Sequence, residues 1–182
     1  RGAAPVPAND STRHAGRTLL PIDWTAVREQ VRNKTLQRAQ IRQLKVEPNA
    51  PKPSMPMLIP ASQNMAAAAV TVFPQPDSYS ASLQLGDVTI EVHGDRRALA
   101  LNADSPMQRM IQAKQGGKLI NSGAPFALDR SEGGWDLTFS RFGAAYMVSI
   151  ECKSPEKDAR CAKPDFLRDL AERMGLIGGE GP

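Results

Sequence analysis

In the stretch "YSASLQLGDVTIEVHG", Tyr79 to Gly94, two strand-like runs flank a Gly-Asp pair. Val88, Ile90 and Val92 fall on one side of an extended backbone, and Thr89, Glu91 and His93 fall on the other. That two-residue period marks a half-buried strand, because successive side chains of an extended chain point to opposite faces. Gly86-Asp87 suits a tight turn between antiparallel strands. The hairpin sets the expectation for the body of the chain: short strands, short turns and antiparallel pairing.

Working outward, "AVTVF" (69–73) reads as a strand before the hairpin, and "RRALALN" extends or follows it. "SPMQRMIQAKQ" (105–115) has a Ser-Pro start, Met107, Met110 and Ile111 at helical spacing, and a Gly116-Gly117 stop, which predicts a short helix. "KLINSG" and "FALDR" read as short strands. "WDLTFS" and "AAYMVSIEC" predict a second hairpin about "RFGA". A closing helix is expected from Pro164, with Phe166, Leu167, Leu170, Ala171 and Met174 on one side and a stop at Gly175.

The N-terminal third has a different character. Residues 1–53 hold ten basic and four acidic side chains, a balance of +6, whereas the rest hold thirteen and fifteen, a balance of −2. Residues 1–21 lack periodicity and read as a flexible arm. Residues 22–46 read as a basic helix. Asp23 serves as N-cap, Leu20, Trp24, Val27 and Val31 keep a three-and-four spacing, and Arg28, Arg32, Arg38 and Arg42 occupy the other faces. Five prolines within 45–60 make residues 47–60 a proline-rich connector, since proline lacks a backbone donor and biases its neighbour towards extended conformations. Residues 61–182 are the expected α+β domain: a mainly antiparallel sheet with a C-terminal helix packed on it, preceded by the basic helix and the proline-rich linker.

Cys152 and Cys161 are the two cysteines of the chain and bracket a polar, turn-prone loop. A disulfide between them would tie the last long strand to the last helix, worth about 2.7 kcal/mol by loop-closure entropy. No Cys-x-x-Cys spacing supports a reactive thiol. Zinc is disfavoured because His14 and His93 fit no finger spacing. A disulfide implies an oxidising compartment, so we expect an extracytoplasmic protein, bacterial periplasmic or secreted. The chain opens on Arg1, and a signal peptide or membrane anchor upstream is compatible with this expectation. No run reaches the ~20 apolar residues of a membrane-spanning helix.

Signatures of phosphate loops, dinucleotide folds, nucleophile elbows, zincins and EF-hands are absent from the sequence. Asn9-Asp10-Ser11 and Asn33-Lys34-Thr35 match the glycosylation triplet, which matters in a eukaryotic secretory pathway. Three weaker constellations remain. His93, Arg96 and Arg97, with Asp95, cluster at a strand end and suit an anion, or an ordinary solvated turn. Asp129, Glu132 and Asp136 beside Trp135 suit a carbohydrate- or cell-wall-directed enzyme or binder, since paired acids do proton work and an aromatic ring stacks on sugar, but a hairpin turn explains the same letters. Trp24, Arg28, Arg32, Arg38 and Arg42 suit a protein partner. Aromatics at 5% and a slightly acidic body argue against specific nucleic-acid binding. We expect a non-catalytic cell-envelope or secreted protein that acts as an interaction or structural module within a complex. No cofactor and no metal are expected. The partner is expected to bind through the basic helix and the proline-rich segment.

Overall fold

The computed structural model describes residues 18–32, 43–46, 50–61, 68–96, 99–100 and 115–178. In chain order the elements are β1 (Thr18–Leu19), α1 (Trp24–Arg32), β2 (Gln43–Val46), β3 (Met57–Pro60), β4 (Ala69–Gln75), β5 (Ser78–Leu85), β6 (Val88–Asp95), β7 (Leu99–Ala100), β8 (Gln115–Lys118), β9 (Pro125–Arg130), β10 (Gly134–Arg141), β11 (Ala144–Cys152), α2 (Ala159–Ala162), α3 (Asp165–Glu172) and β12 (Met174–Gly178). Strands predominate and helices are few, which places the fold between α+β and mainly β.

Eight strands form one sheet in the order β2-β4-β5-β6-β11-β10-β9-β8. The expected hairpin is its centre. Tyr79 stands opposite Gly94, Leu83 opposite Ile90 and Leu85 opposite Val88, with Gly86 at φ +64° in the turn. The second hairpin pairs Leu137 with Val148 and Phe139 with Tyr146 around Phe142-Gly143. β6 and β11 join the two hairpins antiparallel, Val92 against Val148 and Ile90 against Ile150. Pairing in this sheet is antiparallel throughout, apart from β2 beside β4.

Alternation gives the sheet one dry face. Val70, Val72, Tyr79, Ala81, Leu83, Val88, Ile90, Val92, Leu137, Phe139, Tyr146, Val148 and Ile150 are all buried on it. They pack with Val27 of α1, Leu167, Leu170 and Ala171 of α3, and a two-stranded sheet of β3 and β12. The Tyr79 hydroxyl donates to Leu58 O and accepts from Leu58 N, so it acts as a strand partner for β3. The Tyr146 hydroxyl donates to Pro56 O at 2.9 Å. Burial raises both phenols above their usual range.

Several expectations need correction. The basic helix is described only to Arg32; residues 33–42, with Arg38 and Arg42, lie outside the described residues. Its expected end is a strand, since Gln43–Val46 runs parallel to Ala69–Val72. An edge of β4 offers those residues a hydrogen-bond ladder, which outweighs their helix propensity. Within the proline-rich stretch, Met57–Pro60 is a core strand, and Met55, Leu58 and Ile59 are wholly buried. Proline density marked the missing donors there but not the apolar side chains between them. Thr18–Leu19, at the end of the expected arm, pairs with Leu99–Ala100. The helix expected at 105–115 lies outside the described residues except for Gln115, which is in β8. In "KLINSG", Ile120 to Ser122 form a turn rather than a strand. The closing helix ends at Glu172, and Met174, expected on that helix, pairs with Pro60 in β12. β3 supplies the ladder that Gly175 and Gly178 could not support as helix.

Candidate interaction surfaces

Cys152 ends β11, Cys161 lies in α2, and the two form a disulfide with an S–S distance of 2.00 Å and a Cα–Cα distance of 6.2 Å. The loop between them is organised by charge. Asp158 caps α2, accepting from Arg160 N at 2.9 Å, and the Arg160 guanidinium meets the same carboxylate at 2.6 and 2.9 Å. Hydrogen bonds from Arg160 hold the Asp158 carboxyl down at about 2. Arg130, on β9, reaches across to Cys161 O at 2.7 Å and Glu156 at 2.8 Å, and its guanidinium sits 5.0 Å from the Trp135 ring centroid. The disulfide therefore belongs to a rigid closure that includes the only tryptophan of the C-terminal part.

Strand geometry separates the carbohydrate candidates. Asp136 stands directly opposite Asp129 on neighbouring strands, and Trp135 stands opposite Arg130. Adjacent residues of a strand face opposite sides, so Trp135 points away from Asp129 and Asp136. Glu132 is exposed in the turn between β9 and β10. The structure thus brings two of the acids together and places the ring on the other side of the sheet. The Trp135 indole nitrogen is buried without a hydrogen-bond partner, and the Arg130 guanidinium lies over the ring.

The anion candidates are likewise divided. His93 Nε2 lies 3.5 Å from Glu91 Oε2, a neighbour two residues away on the same sheet face. Arg96 follows β6, its amide donating to Asp77 O at 2.9 Å, and its buried Nε has no hydrogen-bond partner. Arg97 lies outside the described residues. On α1, Trp24 packs against the core, Val27 is buried, and Arg28 and Arg32 are exposed. Asp23 caps this helix, accepting from Ala26 N at 2.9 Å.

No family model matches the chain, and comparison with curated proteins and with solved structures finds no match either. Among the described residues no group of three His, Cys, Asp or Glu is placed to hold a metal ion. No described helix is long and apolar enough to cross a membrane.

Sequence reasoning missed the second face of the large sheet. Across five strands the pairing aligns Ser82, Glu91, Ser149, Asp136 and Asp129 in one row. The next row runs Phe73, Ser80, His93, Met147, Thr138 and Ala127. Glu91 and Glu151 are exposed on this face, Ser80, Ser82, Met147 and Ser149 are half-buried, and Phe73 is 49% exposed. The polar positions were legible strand by strand. Only the strand order, set by pairings distant in sequence, collects them on one surface.

Proposed function

We propose that this chain is a non-catalytic module of an extracytoplasmic protein complex, in a bacterial cell envelope or secreted. The Cys152–Cys161 disulfide carries the reading. Its two sulfurs are buried at the junction of β11 and α2, and such a bond persists in oxidising compartments. Partner binding is assigned to the solvent side of α1, through Arg28 and Arg32, and to the proline-rich stretch, where Pro51, Lys52 and Ser54 are exposed. That helix is anchored to the body by its other side, so its charged side is displayed in a fixed orientation.

Two measurements test this. Trapping thiols during lysis of the producing cell should find Cys152 and Cys161 oxidised; free thiols in the freshly trapped protein would remove the compartment argument. Partner recovery should fall on Arg28→Glu/Arg32→Glu substitution with the thermal midpoint unchanged. Equal recovery of the same partner with both proteins would remove α1 from the interface. Point variants are the appropriate comparison, because truncation before residue 58 removes Val27 and Met55 from the core.

A further inference from the structure

We infer that His93 and Met147, on the open face of the eight-stranded sheet, form a binding site for a soft monovalent metal ion, Cu(I). The two residues stand directly opposite each other on β6 and β11. Residues so placed share a face and set their Cβ atoms about 4.5–5.5 Å apart. Metal–nitrogen and metal–sulfur bonds of about 2.0 and 2.3 Å put two donor atoms roughly 4 Å apart, so one ion can span the pair with both strands in place. The site uses neither Arg28 nor Arg32 and stands independently of the module reading.

The donor set selects the ion. A thioether is a soft, uncharged ligand that suits Cu(I) and not calcium or magnesium, and imidazole suits copper as well. Glu91 Oε2 lies 3.5 Å from His93 Nε2, and the imidazole is 45% exposed, open to an incoming ion. A carboxylate beside one ring nitrogen favours the proton there and leaves the Nδ1 lone pair for a metal, which is how metal-binding histidines are commonly oriented. The same carboxylate supplies one negative charge for one monovalent cation. Met147 is half-buried between Tyr146 and Val148, which are buried on the other face, and it neither joins the core cluster nor packs against it. Its sulfur therefore has no core-filling task. Both cysteines are held in the disulfide, so no thiolate competes for a soft ion. The pair is not a cluster of histidines, cysteines and acids, because its second donor is a thioether. His93 and Met147 are far apart in sequence, and only the β6–β11 pairing joins them.

The test titrates silver nitrate, an air-stable stand-in for Cu(I), into the full disulfide-bonded chain with isotope-labelled methionine methyl groups. In the tightest phase the Met147 methyl and His93 ring resonances should shift together and saturate at one ion per chain. His93→Gln and Met147→Leu should each weaken that phase by about a hundredfold, the loss of a second, intramolecular contact. Glu91→Gln should weaken it by about tenfold, as expected for a carboxylate that orients a metal-bound histidine. His14→Gln should leave it unchanged. The replaced side chains of the sheet all face solvent in part, so the metal-free variants should keep the parent thermal midpoint and separate binding from folding. Cu(I) added without oxygen should displace the silver, and excess zinc should not. Unchanged affinity in either His93→Gln or Met147→Leu would overturn the inference, as would a Met147 methyl that stays in place while other methionines shift. So would displacement by zinc, or the failure of Cu(I) to displace silver. Absent silver binding with partner recovery still dependent on Arg28 and Arg32 removes this site and leaves the module reading. Silver binding at His93 and Met147 with no partner recovered does the reverse.

Discussion

Gly94 shows how one missing side chain holds two layers together. A Cβ there would sit 2.1 Å from Tyr79 Cε1 and 2.8 Å from Met55 Cε. The ring has no room to retreat, because its hydroxyl is fixed by both polar groups of Leu58. Gly94→Ala should therefore cost about 1–3 kcal/mol as overpacking. Gly86→Ala meets nothing within 4 Å and suffers only its positive φ, for about 1 kcal/mol. Urea midpoints of the two variants should rank in that order, and the reverse ranking would mean that the ring moves. Tyr79→Phe leaves Leu58 N and O without their partner and should cost about 1–3 kcal/mol. Asp158 gives a pH signature. Its folded carboxyl titrates at about 2, below the usual ~3.9 of an unfolded aspartate. The folded state thus binds this proton less readily, so the pairing with Arg160 stabilises above about pH 4 and is lost as pH falls through about 2. Asp158→Asn should lower the thermal midpoint at neutral pH and converge with the parent protein at about pH 2. A gap that persists at that pH would assign the loss to the cap geometry instead of the charge.

At the scale of elements, the closure around α2 is the clearest unit. Replacing both cysteines by serine should cost about 2.7 kcal/mol through loop entropy, read from guanidinium midpoints. Trp135 fluorescence should respond too, because Arg130 holds the ring while bonded to Cys161 O. A loss below about 0.5 kcal/mol would show that the charged contacts alone order the loop. This closure was legible in the sequence, as were both hairpins, since each depends on neighbours in the chain: alternating Val, Ile and Phe, a turn glycine, and two cysteines around a polar loop. β12 was not. "MGLIG" is short, carries two glycines and follows a helix, so locally it reads as a helix stop. It becomes a strand because β3, far away in sequence, presents Leu58 to Leu176. β2 and β3 were hidden for the same reason, one behind good helix formers and the other behind prolines. The carbohydrate candidates were divided at a different step. Letters adjacent in sequence suggested a cluster, and the strand period put Trp135 on the opposite face from its acids.

For the whole molecule, the charge split suggests two bodies joined by a proline-rich connector, whereas the packing ties the N-terminal elements to the sheet. Asp23 N donates to Phe142 O at 3.0 Å, Arg141 reaches Gln30 at 2.8 Å, and Pro21 O lies where a Cβ on Gly143 would be. Phe142 itself holds φ +54°, a conformation that non-glycine side chains adopt at a cost, and it is covered on burial and by the Arg141 guanidinium at 5.0 Å. Val27 and Met55 are each wholly buried, worth about 1.5–3 kcal/mol apiece. Against a total stability of about 5–15 kcal/mol, losing both would leave little margin. The chain should accordingly unfold as one cooperative unit, and its two tryptophans make that measurable. Trp24 reports on α1, and Trp135 on the sheet and the disulfide closure. Trp135→Phe leaves the first probe and Trp24→Phe the second. In each variant the fluorescence midpoint in urea should coincide with that variant's far-ultraviolet dichroism midpoint, as it must when a single transition governs both. If Trp24 instead reported a separate, earlier transition while the sheet signal held, α1 would be a detachable arm, and its display of Arg28 and Arg32 in a fixed orientation would no longer follow.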